Sequence, residues 1–460
     1  MLIDSLVKKS FSYDSRLLKK NELFFDFVSS QKKKNPFIDE ILKKKPYKII
    51  TEHPFKKNNK FILKKKVKIF YNYLVKKKYS KLPENLVAVT GTNGKTSVAN
   101  FYYQLLTLNK IPCASIGTLG FFYNKKFKTS NLTTPDNLKI LNFLKFIKQQ
   151  HNINNAILEA SSHGLVQGRL ENLKFKNVIF TNFSQDHLDY HKSMKSYLSA
   201  KLILFKKYLN KNSNIICDDN IAKLLRKNQI SNKNFNLLLQ SKKKLPFKLI
   251  SHTAKNFKTT LKINFNNNIH VVNVNLIGDI QIKNLYQSMI AAFQNGLKFN
   301  LILKSLTKIK PINGRLNVFK NHNKIVCLDY AHTPDGLEKA IITLKSHFKK
   351  NINIVFGCGG DRDSQKRKKM GKIAAKYCKN IILTDDNPRN ENPNKIISQI
   401  YNGSKKGILI RNRKIAIKKG INLTKPNEIL LVAGKGHENY QIIKNKKIFF
   451  SDAKEIKNNL

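Results

Sequence analysis

Short apolar runs rich in Ile, Val and Phe recur along this chain between longer stretches whose apolar positions fall at helical spacing. The runs occupy residues 86–89, 156–159, 178–181, 325–330, 352–356, 381–384 and 429–433, whereas residues 99–108 and 285–303 read as helical. Runs that stay apolar without alternating suit strands buried on both faces, and their alternation with helices predicts parallel sheets with crossover connections. The fold class is therefore α/β. Several runs end in glycine or polar residues, where open α/β sheets place their ligands. Leu23-Phe24-Phe25 and residues 47–51 predict strands around a short helix in a separate N-terminal unit. The Lys-rich stretch 76–83 reads as the linker after it, and Pro311 to Gly314 marks a second break. Three domains result, at 1–85, 86–312 and 313–460. Residues 219–270 are too rich in Asn and Lys to specify elements, and no internal repeat is present.

The most informative segment is Val89-Thr90-Gly91-Thr92-Asn93-Gly94-Lys95-Thr96-Ser97, between a predicted strand and a predicted helix. Glycines there let backbone N–H groups face phosphate oxygens, the helix N-terminus adds partial positive charge, and Lys95 adds a full one. Thr96 can offer its hydroxyl to Mg²⁺. Only two residues separate Gly91 from Gly94, so the common phosphate-loop spacing is not met; the flanking strand and helix favour that reading over a solvated turn.

Composition changes this picture little. The chain has 460 residues, 87 Lys+Arg against 28 Asp+Glu, and a formal charge of +59. Such an excess ordinarily raises a nucleic-acid partner. Here the lysines are spread over nearly every segment alongside abundant Asn, Ile and Phe, and runs such as Lys32-Lys33-Lys34 read as solvated surface, so no specific nucleic acid is expected. Five scattered cysteines form no C-x-x-C pair, which indicates neither a disulfide frame nor a cysteine zinc site. With no signal-like N-terminus and no apolar stretch of about 18 residues, the expectation is a cytoplasmic protein without membrane insertion.

Two further constellations carry chemistry. Glu159-Ala160-Ser161-Ser162-His163 follows a predicted strand and offers a carboxylate to a hard cation beside Thr96. The next strand leads into Thr181-Asn182-Phe183-Ser184-Gln185-Asp186-His187-Leu188-Asp189-Tyr190-His191, where neighbouring oxygen groups favour Mg²⁺ over zinc.

These segments resemble the Mur ligases, the ATP-dependent amide-forming enzymes of peptidoglycan assembly. The match runs from about residue 12 to residue 453 and includes Asp14-Ser15-Arg16, Thr133-Thr134-Pro135, Gly314-Arg315, residues 329–335, 357–363 and 385–393, and Gly434-Lys435-Gly436-His437-Glu438. The resemblance implies an N-terminal uridine-binding α/β domain, a central P-loop-type ATPase domain with a mostly parallel sheet, and a C-terminal Rossmann-like α/β domain. It places Ser15 at the UDP end of the substrate and Thr133, Thr134, Ser161, Gln167 and Arg169 along the muramoyl-dipeptide path. Gly91, Thr92, Asn93, Gly94, Lys95, Thr96, Ser97, Asn284, Arg315 and Asp329 would contact ATP. Thr96, Glu159, His187 and Lys201 would serve Mg²⁺, with Lys201 matching the lysine these enzymes carbamylate; Lys95, Lys201, His187 and Arg315 would be catalytic.

Within the family the chain is most similar to enzymes that add the third stem-peptide residue to the UDP-N-acetylmuramoyl dipeptide, as a monomer. Arg367, Asp386, Asn387, Arg389, Gly434 and Glu438 would hold the incoming amino acid. The Asp386-Asn387-Pro388-Arg389 form implies meso-diaminopimelate rather than lysine, because Arg389 can grip the extra carboxylate and Glu438 the ammonium. Three departures from the family pattern are Ile280-Gln281 where Phe-Asn is usual, Asn317 in place of an acidic residue, and a missing glycine near Ser29-Ser30.

Overall fold

A computed structural model describes residues 2–28, 35–54, 59–130, 132–230, 236–239, 247–321 and 323–460. Ser29-Ser30 and Lys32-Lys33-Lys34 lie outside them.

Three sheets organise the chain. The first is parallel, with strands Phe11–Ser12, Leu23–Phe25, Lys48–Thr51 and Phe61–Leu63 in sequential order. The second has eight strands, and Asn85–Thr90 lies inside it between Asn155–Glu159 and Phe175–Phe180, all parallel. Register pairs Val89 with Glu159 and Thr90 with Phe180, so the loops leaving these three strands start at one level. The third sheet runs Asn317–Asn321, Lys324–Asp329, Glu428–Ala433, Asn351–Phe356, Ile381–Leu383 and Ile408–Leu409, parallel except at its first pair. A three-stranded antiparallel meander, Phe247–Lys255, Lys258–Phe265 and Asn268–Val274, fills much of the stretch that composition left unassigned. We propose that the division at 1–85, 86–312 and 313–460 follows from one large sheet in each part.

Two expectations need correction. The stretch 76–83 is not all linker, because Lys76, Lys77 and Lys78 form the last turn of helix Val67–Lys78, where cations are favoured by the helix dipole. Lys78 Nζ donates to the carbonyls of Val7 and Lys9, each at 2.8 Å, which pins that end. The single helical stretch 285–303 is two helices, Asp279–Gln294 and Phe299–Leu306. Gly296 separates them at φ +98°, a conformation that ends a helix and that glycine adopts without strain.

The three parts are joined unequally. Tyr71, Leu74, Val75 and Tyr79 share one apolar cluster with Leu138, Leu141 and Leu144 of the central part. Tyr79 Oη donates to Asn142 Oδ1 at 2.7 Å, and Tyr13 donates to Asp136. The C-terminal sheet has cores of its own, joined by Ile277 and Phe257 from the central part. Its remaining cross-contacts near the phosphate loop are polar. All five cysteines are free and buried. No described helix is long and apolar enough to cross a membrane.

Candidate active site

The loop between Asn85–Thr90 and helix Lys95–Leu108 is held in shape by the segment leaving the neighbouring strand. Asn93 N donates to Asn182 Oδ1 at 2.9 Å, Asn182 Nδ2 returns a bond to Asn93 O at 3.0 Å, and Thr181 Oγ1 donates to the same carbonyl at 2.6 Å. Thr92 N donates to Asn182 O at 3.0 Å. A side chain at Gly91 would stand 1.9 Å from Thr181 Oγ1, so the fit requires glycine there. Gly94, at φ +87°, caps the helix and faces Asn284. Lys95 Nζ donates to Gly91 O and Thr92 O, each at 2.9 Å, which centres the cation in the loop. Helix-start amides and one half-buried cation make an anion site. Ser97 is buried in the first helical turn.

Beside this loop Glu159 is almost fully buried and accepts hydrogen bonds from Thr96 Oγ1 at 3.0 Å, Thr118 N at 2.8 Å and Thr118 Oγ1 at 3.1 Å. Burial raises its pKa against the opposing pull of Lys95. A cavity of about 10 Å³ lies against Thr96 and Glu159, room for one water or small ion. Oxygen donors in this setting fit a hard cation. Among the described residues no three His, Cys, Asp or Glu side chains are grouped to hold a metal alone, so a cation here would also draw on hydroxyl and phosphate oxygens.

His187, in a left-handed conformation at φ +54°, lies 3.3 Å from Asp186 Oδ2. Burial lowers its pKa to about 3 despite Asp186. Burial would raise Asp186, but His187, His332 and Lys366 prevail and hold it at about 2. His191, by contrast, hydrogen-bonds Ser162 Oγ at 2.9 Å through Nε2. Lys201 projects from helix Met194–Lys207, is fully buried over the Tyr197 ring at 4.4 Å, and donates to Gly91 O at 2.9 Å. Burial, reinforced by Lys95, pushes its ammonium well below 10.5. Burial thus disfavours the charged form of this lysine.

The other expected positions fall into groups. Arg315 stacks on Tyr330 at 4.3 Å, and its buried Nε has no hydrogen-bond partner among the described residues, which leaves a donor for an anion. Asp329 accepts from Leu316 N at 2.7 Å and Ala331 N at 2.8 Å, so it also ties the residue after Arg315 to the turn that follows its own strand. At the Ile280-Gln281 departure, Gln281 Nε2 donates to Arg315 O at 3.1 Å. Thr134 bonds Glu159 O at 2.7 Å and Ser161 Oγ at 2.9 Å, Thr133 accepts from Thr118 at 3.1 Å, and Arg169 contacts Thr134 O and Gln167. Ser15 O accepts from Lys44 Nζ at 2.6 Å, in the distant N-terminal part.

In the C-terminal part, Glu438 Oε2 accepts from Asn387 Nδ2 at 3.1 Å, while Tyr330 Oη donates to Oε1 at 3.3 Å. A side chain at Gly434 would meet Asp386 Oδ2 at 2.5 Å. Arg389, at φ +51°, donates to Gly360 O at 2.8 Å. Arg367, expected to contact the incoming amino acid, is instead fully buried. It grips both oxygens of Glu391, at 2.5 and 2.7 Å, and Gly359 O at 3.0 Å, which makes it a brace for the surrounding loops. Sequence reasoning did not single out Asp335 or Lys435. Both lie inside the matched segments, but nothing in their spacing reveals that one contacts the phosphate loop and the other is buried between carboxylates.

A family model for the Mur ligase middle domain matches residues 89–292, and one for the Mur ligase glutamate ligase domain matches residues 314–436. The UDP-N-acetylmuramoyl-L-alanyl-D-glutamate–2,6-diaminopimelate ligase of Rickettsia montanensis is 40% identical over 465 residues, covering 98% of this chain and 95% of that protein. A solved structure of an enzyme of the same name aligns with a TM-score of 0.67 at 29% identity, covering 98% and 94% of the two chains. A MurF ligase from Thermotoga maritima in complex with ADP aligns at 0.65 with 18% identity, covering 93% and 94%, a likeness of fold.

Proposed function

This chain belongs to the Mur ligase family, and from that premise we propose that it is the ATP-dependent ligase joining meso-diaminopimelate to UDP-N-acetylmuramoyl-L-alanyl-D-glutamate. The observation that carries the choice of amino acid is the convergence of Asp386, Asn387 and Glu438 on Lys435, with Arg389 on the same loop as the first two. An arginine and an acid side by side suit a head group bearing both a carboxylate and an ammonium. The close relatives with that name support the same reading.

The reaction asks the protein for placement and charge neutralisation. The dipeptide's terminal carboxylate takes the γ-phosphoryl group, the amine of the incoming residue attacks the acyl phosphate, and phosphate leaves. Lys95 and the loop amides hold the transferred group, Arg315 offers its unpaired N–H to phosphate charge, and Asn284 and Asp329 orient the nucleotide. Thr134, Ser161, Gln167 and Arg169 line the route to the carboxylate, and Ser15 holds the UDP end. Thr96, Glu159, His187 and Lys201 would hold Mg²⁺, which when bound offsets phosphate charge. The depressed ammonium of Lys201 supports carbamylation, since CO₂ adds only to a neutral amine and yields an anion compatible with the metal. A monomer acting in the cytoplasm completes the proposal.

The test is ATP-dependent phosphate release with the UDP-muramoyl dipeptide and a panel of amino acids. Release with meso-diaminopimelate far above all others is expected; a clear preference for lysine would overturn the assignment.

A further inference from the structure

Lys435 is fully buried in the turn after strand Glu428–Ala433. Its Nζ donates to Asn387 Oδ1 at 3.0 Å and Glu438 Oε2 at 3.3 Å and lies 3.9 Å from Asp386 Oδ1. A buried ammonium is costly to place unless its charge is matched, so the balance of charge around it is informative.

Two loops supply the charged groups around it. Asp386 and Arg389 come from one loop, and Lys435 and Glu438 from the other. Lys435 Nζ lies 5.6 Å and Lys447 Nζ 3.8 Å from the centre of the Tyr440 ring, while Arg389 donates to the carbonyls of Gly360 and Asn387. Asp385 is paired with Arg411 at 3.4 Å, and Arg413 with Asp452 at 2.7 Å. His437 is held to about 4 by burial and Arg315, and is neutral at neutral pH. Asp386 and Glu438 therefore share one fully buried ammonium, that of Lys435.

We propose that Lys435 sets the choice of amino acid by occupying the carboxylates of Asp386 and Glu438 from inside the fold, which leaves a side chain ending in both carboxylate and ammonium its partner in Arg389 and opposes one ending in ammonium alone. The inference rests on the proposed function. Without Lys435 the two carboxylates lose their buried countercharge, and a lone ammonium becomes the better complement. Arg389 remains to grip a carboxylate, so the residue acts on selectivity through the balance it imposes on Asp386 and Glu438.

The experiment compares kcat/KM for meso-diaminopimelate and lysine in the full-length wild type, Lys435→Met, Lys435→Arg and Asn387→Asp. Lys435→Met is expected to shift the ratio toward lysine by about tenfold or more, with Lys435→Arg keeping the wild-type ratio. Asn387→Asp is isosteric, adds negative charge beside the same ammonium, and is expected to shift the ratio the same way even if Lys435→Met does not fold. A wild type that prefers diaminopimelate, with the ratio unmoved in Lys435→Met and Asn387→Asp or moved equally in Lys435→Arg, overturns this inference alone. A wild type that prefers lysine overturns the proposed function and the inference with it.

Discussion

The side-chain amide of Asn93 donates to Asp335 Oδ2 at 3.2 Å and so ties the phosphate loop to the first turn of helix Pro334–Phe348. Ser184 Oγ donates to the same oxygen at 3.1 Å, and Lys339 pairs with the carboxylate. One acid thus fastens the C-terminal part to both segments that form the phosphoryl site. Asp335→Ala is expected to lower kcat about tenfold or more, because misplacement of reacting groups is costly even when binding survives. Nucleotide affinity measured by calorimetry is expected to change little. An unchanged kcat would remove this contact from the mechanism.

Lys95→Ala takes away the cation at the centre of the loop. Loss of one donor aimed at developing charge costs about 3 kcal/mol or more, so phosphate release is expected to fall by about 10² or more in a protein with an unaltered far-ultraviolet spectrum. Turnover close to normal would refute the nucleotide site.

Lys201 separates charge from chemistry. Lys201→Arg is expected to be inactive because its fixed positive charge repels a cation, whereas Lys201→Ala is expected to regain part of its activity in acetate. Full activity of Lys201→Arg would rule out the carbamate.

The same residue makes a stability prediction. Its folded-state pKa is depressed below 10.5 by burial. Between the two values the unfolded chain binds a proton that the folded chain does not, so wild-type stability rises with pH up to about 10.5 and then levels off. Lys201→Met lacks this term and is expected to be more stable by about 1–3 kcal/mol near neutral pH. The gap is expected to narrow as pH rises. Melting curves of both proteins in CO₂-free buffer decide it, and a gap that widens with pH would contradict the burial of an uncarbamylated amine.

Arg389→Ala is expected to cut kcat/KM for meso-diaminopimelate by several orders of magnitude, since a site built for a carboxylate loses its partner. Lysine turnover is expected to change much less. Equal losses for both amino acids would move Arg389 out of the receptor.

The sheets were legible because their strands are apolar on both faces: Leu86 to Val89 and Leu430 to Ala433 could be little else. The phosphate loop was legible for a local reason, its glycines and lysine lying within five residues. Lys201 was legible only through resemblance, since one lysine among so many carries no local signal, and its burial depends on a helix folding over the loop from far along the chain. Asp335 and Lys435 went unnoticed for the same reason: the partners that reveal their roles, Asn93 and Asn387, are distant in sequence. Arg367 was misread because an arginine near a ligand loop looks the same whether it faces the ligand or braces the loop through Glu391.

The burial of every cysteine supplies an unplanned clock. Cys113 and Cys217 lie in the central part and Cys327, Cys358 and Cys378 in the C-terminal part, all shielded, while the first 85 residues carry none. A thiol reagent added to the native enzyme would therefore react only as fast as each part opens. Mass spectrometry of the modified peptides would time the two openings separately, in one sample and without any engineered label.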